Sequence, residues 1–197
     1  MDQSAEIICV GTELMLGDIV NGNARYLAQQ LASLGIAHHY QTVVGDNPTR
    51  IKRAVAIACE RARLIIFTGG LGPTPDDLTL ATLAAFFDAP LTERPELVAD
   101  LEAKFAKRGR TRTETSRRQA LIPEGATILP NPVGSAPGVI WEARRGLTIM
   151  TFPGVPWEMK SMWIATAAPH LRASGWAQGV IHSQTLKFWG MGESTLA

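Results

Sequence analysis

The segment Thr68-Gly69-Gly70-Leu71-Gly72-Pro73-Thr74-Pro75-Asp76-Asp77 joins a short apolar run, Arg63-Leu64-Ile65-Ile66-Phe67, to a stretch of helical pattern. An apolar run of this length fills the middle of a parallel sheet. Gly69, Gly70 and Gly72 remove Cβ atoms at a sharp turn and let a ligand approach bare backbone. Free amides at such a turn face an anion, most readily a phosphate. Asp76 and Asp77 repel that phosphate unless a divalent cation lies between them. Glycines for phosphate with carboxylates for metal point to a nucleotide- or pyrophosphate-handling site. A second reading of the two aspartates stays open, because Asp at a helix start also caps orphan amides and complements the helix dipole. The turn follows neither the dinucleotide nor the P-loop spacing.

Three other glycine turns carry polar residues. Val10-Gly11-Thr12-Glu13 follows a strand pattern, and Asn23 stands downstream. Thr12 and Glu13 suit a ribose, a metal or a phosphate; alternatively they make a local turn bond and a solvated acid, with Asn23 a helix cap. Asn131-Pro132-Val133-Gly134-Ser135-Ala136-Pro137-Gly138 is a stiff turn exposing amides and one hydroxyl, or else a tight loop between strands. Phe152-Pro153-Gly154-Val155-Pro156-Trp157-Glu158 again runs strand, turn, helix, with Pro156 near the first helical position. Gly154 and Glu158 are candidates there, and Glu158 serves equally as a first-turn acid. The four histidines form no metal pattern, and no Ser-His-Asp or Cys-His arrangement emerges, so nucleophilic catalysis is not supported.

These turns need a frame. Residues 6–10, 38–44 and 64–67 read as strands. Helices are expected over 23–34, closed by Gly35, from the Asn47-Pro48 cap to about residue 62, and over 76–87. This order predicts an α/β fold, a three-layer α/β/α sandwich with a mainly parallel sheet. Ligands of such sheets bind beyond the carboxyl ends of strands, where Gly11, Gly45 and Gly69 fall. Leu97, Leu101 and Phe105 recur at helical spacing over 94–108, and a basic cluster (Lys107, Arg108, Arg110, Arg112) reads as its solvated end. A shorter helical piece through 117–120 precedes strands at 127–129, 139–142 and 147–152, expected to form an antiparallel edge. Met159, Met162 and Trp163 are spaced to pack in the core.

With 197 residues the chain supports one well-buried domain, and its net charge of +1 gives no surface for nucleic acid or an anionic membrane. No apolar run is long enough to span a bilayer, and the acidic N-terminus is unlike a signal peptide, so a cytoplasmic location is expected. Cys9 and Cys59 read as small buried hydrophobes. The tail shows a strand pattern at 182–189 and a loop entering a helix at 190–197, which the sequence does not complete. Residues 1–170 are therefore expected to form the domain, and 171–197 the start of a following segment in a longer protein.

Taken in order, Gly11-Thr12-Glu13-Leu14 with Gly17 and Asn23, the glycine turn with Asp76-Asp77-Leu78-Thr79, Gln119-Ala120 before Pro123, Asn131 with Gly134 and Ala136-Pro137-Gly138, and Pro153-Gly154-Val155-Pro156 with Glu158-Met159 resemble the N-terminal domain of the CinA family. That domain is similar to the molybdopterin-binding domains of molybdenum cofactor biosynthesis. The resemblance covers about residues 6 to 170. It implies metal-dependent hydrolysis of ADP-ribose to AMP and ribose 5-phosphate, with a divalent ion (cobalt, manganese or magnesium) and a monovalent cation such as potassium. A pterin-adenylylating enzyme and a non-catalytic nucleotide-binding module are the alternatives. Asp76, Asp77 and Glu13 are the implied metal and catalytic residues. Thr12, Asn23, Thr68, Gly69, Gly70, Gly72, Pro73, Thr74, Asn131, Gly134, Ser135, Ala136, Gly138, Pro153, Gly154 and Glu158 are implied in substrate binding. Partners implied are a small-molecule nucleotide and further copies of the chain, as a dimer or trimer. Deamidase activity, carried elsewhere in longer family members, is not expected of this region. Ser135 stands where the family more often has threonine, and Trp157 where a small polar residue is usual, so the pocket rim differs.

Overall fold

The computed structural model describes residues 3–107, 114–177 and the single positions 109, 179, 189 and 190. Arg108, Arg110 and Arg112, and the elements expected over 182–197 apart from positions 189 and 190, lie outside the described residues.

Strands β1 (Ala5–Val10), β2 (His38–Val44) and β3 (Leu64–Thr68) stand where the strand patterns lie, and β1 and β3 are buried at every position. Helix α1 (Thr12–Leu16) follows β1 directly, and α2 (Gly22–Ser33) then leads back toward β2. Helix α3 (Pro48–Arg61) begins as its cap predicts, with Asn47 Oδ1 accepting from the Arg50 amide at 3.1 Å. After β3 come α4 (Thr79–Phe86), β4 (Leu91–Glu93), α5 (Pro95–Lys107), α6 (Glu114–Arg117) and a 3-10 turn over Arg118–Ala120. Strands β5 (Leu121–Pro123), β6 (Thr127–Leu129), β7 (Gly138–Arg144) and β8 (Leu147–Phe152) follow. Helix α7 (Pro156–Met162) runs through a π-helical turn, Trp163–Ala167, into α8 (Ala168–Ala173).

The main sheet has the order β2-β1-β3-β8-β7-β6. Its first four strands are parallel, and β7 runs antiparallel to both β8 and β6, which is the antiparallel edge the sequence suggests. Alternate side chains of each strand enter different cores. Ile7, Cys9, Leu64, Ile66 and Phe152 pack against α2, α7 and α8 through Leu27, Leu31, Met159, Trp163 and Leu171. Ile8, Val10, Ile65, Phe67 and Ile149 pack against α3, α4 and α5 through Ile51, Val55, Leu83, Leu97 and Leu101. Two helical layers thus cover the sheet. β2 lies on one side of β1 and β3 on the other, with α2 and α3 on opposite faces, so strand order reverses between β1 and β3. An open α/β sheet binds its ligand in the crevice beyond such a reversal.

Two expectations need correction. The helix after the glycine turn starts at Thr79, not at residue 76, and its N-cap Leu78 makes no side-chain cap bond. Asp76 is therefore no helix cap. Likewise α2 is capped by Asn21, whose Oδ1 accepts from the Ala24 amide at 3.1 Å, and not by Asn23. Among the described residues no helix is long and apolar enough to cross a membrane.

Candidate functional site

The carboxyl ends of β1, β3 and β8 open into a cleft of ≈ 960 Å³. Thr12, Glu13, Gly69, Gly70, Gly72, Pro73, Asp76, Asp77, Ser135, Ala136, Pro153, Gly154 and Glu158 all line it. Four sequence-distant turns therefore meet at one place.

The floor is the β3–α4 turn. Gly69 has φ +102°, and a Cβ there would overlap the Val10 carbonyl oxygen. Its amide donates to the Phe152 carbonyl at 2.9 Å, and Thr79 Oγ1 donates to the Gly69 carbonyl at 2.8 Å. The Gly69 amide is thus already committed and cannot serve a phosphate. The amides of Gly70, Leu71 and Gly72 donate to no acceptor among the described residues. Successive free amides of this kind make an anion-binding concavity.

Asp77 turns back on its own loop. Its Oδ2 accepts from the Thr74 amide at 2.8 Å and from Thr74 Oγ1 at 2.6 Å, which leaves Oδ1 for another partner. Thr74 does not line the cleft; it holds the carboxylate that does. Asp76 is exposed beside it. Across the cleft, Glu13 lies in the first turn of α1, and Thr12 bonds not locally but to Asp46, just beyond β2. Asp46 Oδ2 accepts from both the Thr12 amide and Thr12 Oγ1 at 2.8 Å. Asp46 also lines the cleft and is absent from the residues singled out in the sequence, although its place one residue past Gly45, at a strand's carboxyl end, was a usable signal.

Asn23 and Thr68 are struts beneath the cleft. Asn23 Nδ2 donates to Thr68 Oγ1 and to the Gly154 carbonyl, both at 2.8 Å, and Thr68 Oγ1 donates to the Pro153 carbonyl at 3.0 Å. They tie α2 to β3 and to the turn after β8. Asn131 plays the same part in the far wall. Its Nδ2 donates to Glu158 Oε2 at 2.7 Å and to the Ala136 carbonyl at 2.9 Å, while its Oδ1 accepts from the Gly134 amide at 2.8 Å. The Gly134 amide is therefore also unavailable to a ligand, and the Glu158 carboxylate occupies the space a Cβ on Gly134 would need. Gly138 is buried in β7 against the Thr151 carbonyl, away from the cleft.

Gln119 is a second cleft residue outside the sequence candidates. It is 4 % exposed, its Nε2 donates to the Leu71 carbonyl at 3.3 Å, and its Oε1 is buried without a hydrogen-bond partner among the described residues. Such an orphan acceptor costs about 1–3 kcal/mol until a donor meets it. Trp157 stands on the rim, 66 % exposed. Below the sheet end, burial pushes the Cys9 thiol above its ordinary pKa, partly offset by the hydrogen bond to Asn21. The donor set facing the cleft is one of hard oxygens, which suits a divalent cation of the magnesium type. Among the described residues no three His, Cys, Asp or Glu side chains come together as a preformed cage.

The family model described as a probable molybdopterin binding domain matches residues 6–173. A solved CinA from Thermoplasma acidophilum superposes with a TM-score of 0.78 at 33 % identity, covering 85 % of this chain and 97 % of that one. The chain belongs to the CinA family. CinA-like proteins of Cyanothece sp. and Thermosynechococcus vestitus are 68 % and 69 % identical over 197 and 194 residues, which is 100 % and 98 % of this chain. The CinA domain described here spans about half the length of those relatives (47 % and 46 %). The molybdopterin biosynthesis enzyme MoaB from Thermus thermophilus shares the fold, with a TM-score of 0.59 at 19 % identity, covering 92 % of this chain and 100 % of that one.

Proposed function

We propose that this CinA domain hydrolyses a nucleotide pyrophosphate, ADP-ribose, to AMP and ribose 5-phosphate. The observation that carries the reading is that Gly70, Leu71 and Gly72, whose amides have no acceptor among the described residues, line one cleft with Asp76 and Asp77 at the strand-order reversal. Amides alone would bind any phosphate; aspartates beside them favour a phosphate that arrives with a cation. Asp77 Oδ1 and Asp76, with Glu13 from the opposite wall, are the residues that would hold a divalent ion. Lacking a preformed cage, they suit an ion that keeps water and shares substrate oxygens, as magnesium does. Such an ion would neutralise phosphate charge and lower the pKa of a bound water.

The chain's own part is to bind and orient. The Gly70–Gly72 amides receive phosphate oxygens and stabilise the charge that grows as the P–O bond breaks. Water adds to one phosphorus, the bond to the bridging oxygen breaks, and the other phosphate leaves with that oxygen. Asn23, Thr68 and Asn131 keep the walls in place.

A second reading, a molybdopterin adenylyltransferase, is favoured by the matched domain description and by the MoaB neighbour. A third, a nucleotide-binding module within a longer CinA protein, is favoured by the chain spanning half of its relatives. Incubation with ADP-ribose, potassium present, and with cobalt, manganese or magnesium separates the three. Metal-dependent AMP, reduced at least about 100-fold in Asp77→Ala, is expected by chromatography. Binding without AMP favours the module, and in a parallel incubation with ATP and a molybdopterin, AMP transfer to the pterin with release of pyrophosphate, while ADP-ribose stays intact, favours the second reading.

A further inference from the structure

A groove of ≈ 670 Å³ separates α5 from the loop that forms the far wall of the cleft, with Leu97, Ala103, Ile128 and Val133 on its sides. Over an open groove the loop is not backed by packed side chains, so hydrogen bonds must set its position. One of them crosses from α5. Lys104 Nζ donates to the Asn131 carbonyl at 2.7 Å and pairs with Asp100 Oδ2 at 2.5 Å. Asn131 is 3 % exposed and passes that anchor on, to the Glu158 carboxylate, the Ala136 carbonyl and the Gly134 amide. Ala136 and Glu158 face the cleft on the other side.

The geometry points to Lys104 as a positioning residue for the cleft: from behind the wall it fixes, through Asn131, the Glu158 carboxylate and the edge carrying Ser135 and Ala136. Lys104 itself does not line the cleft. An ammonium on a backbone carbonyl makes a stronger bond than a neutral donor does, and the Lys104 side chain is only 20 % exposed. A wall fixed before the substrate arrives spares the substrate the cost of ordering it, so loss of the tie falls on binding more than on the bond-breaking step. This inference rests on the proposed function only in taking the cleft as the substrate site.

Lys104→Met keeps the apolar stem and Lys104→Arg keeps the cation. The Met variant is expected to raise KM for ADP-ribose about tenfold with kcat within about twofold. It is also expected to speed hydrogen exchange at the Val133 and Gly134 amides, both of which donate to Asn131. The Arg variant should recover most of both effects. Unchanged exchange, unchanged KM in an active chain, or equal losses in both variants that simply follow a lowered melting temperature would each overturn the assignment. The exchange readout needs no substrate. Faster exchange in a chain that binds ADP-ribose more weakly but never cleaves it supports the Lys104 tie and removes the hydrolase. Cleavage with unaltered exchange removes the tie and spares the hydrolase.

Discussion

Gly69 shows how narrowly single residues are constrained here. Its backbone sits at φ +102° with the Cα turned onto the Val10 carbonyl, between two central strands that cannot recede. Gly69→Ala is expected to cost about 2–4 kcal/mol, strain and overlap together, and to lower the melting temperature by on the order of 10 °C. Gly17 has φ +78° but open space around it, so Gly17→Ala should cost only about 1 kcal/mol. Thermal melts of the two variants test this, and equal losses would contradict the close approach at Gly69. At this scale residue types revealed which turns matter but not which residue does what. Asn23 and Asn131 have the chemistry of a cap, a ligand contact or a strut. They are struts because of partners such as Thr68, Gly154 and Glu158, which lie 45, 131 and 27 residues away. The Gly69 and Gly134 amides look free in sequence for the same reason, since Phe152 and Asn131 claim them only in the fold.

Elements with strong local signals were legible. The Asn47-Pro48 start of α3, the strand pattern of β2 and the apolar run of β8 stand where the sequence puts them. Elements made by distant contacts were not. Helix α1 buries no residue, and its first amide is received by Asp46 from beyond β2. β4 and β5 are three residues each and pair with one another, too short for a period to register. α4 starts late because Asp77 hydrogen-bonds Thr74 in a turn, a local alternative that competes with helix. Asp46→Ala removes the only side-chain acceptor found for the start of α1 among the described residues. It should cost about 1 kcal/mol, as loss of a cap does, read as a lower urea midpoint at unchanged slope. An unchanged midpoint would mean that α1 is held without it.

Over the whole molecule, the sheet order brings four turns together at the β1/β3 reversal, and strand-helix alternation makes that meeting place readable from the order of elements along the chain. What alternation leaves out is the sign of the assembled surface. A chain of net charge +1 gathers Glu13, Asp46, Asp76, Asp77 and Glu158 around one cleft. Those carboxylates work against an anionic ligand by itself and in favour of one carrying a divalent cation. Calorimetric titration of ADP-ribose into the chain, with and without magnesium, tests this most directly. Magnesium is expected to tighten binding at least about tenfold in the parent chain and to lose that effect in Asp77→Asn. Equal affinity with and without the ion, or a magnesium effect that survives in Asp77→Asn, would contradict a metal-bridged pyrophosphate in this cleft.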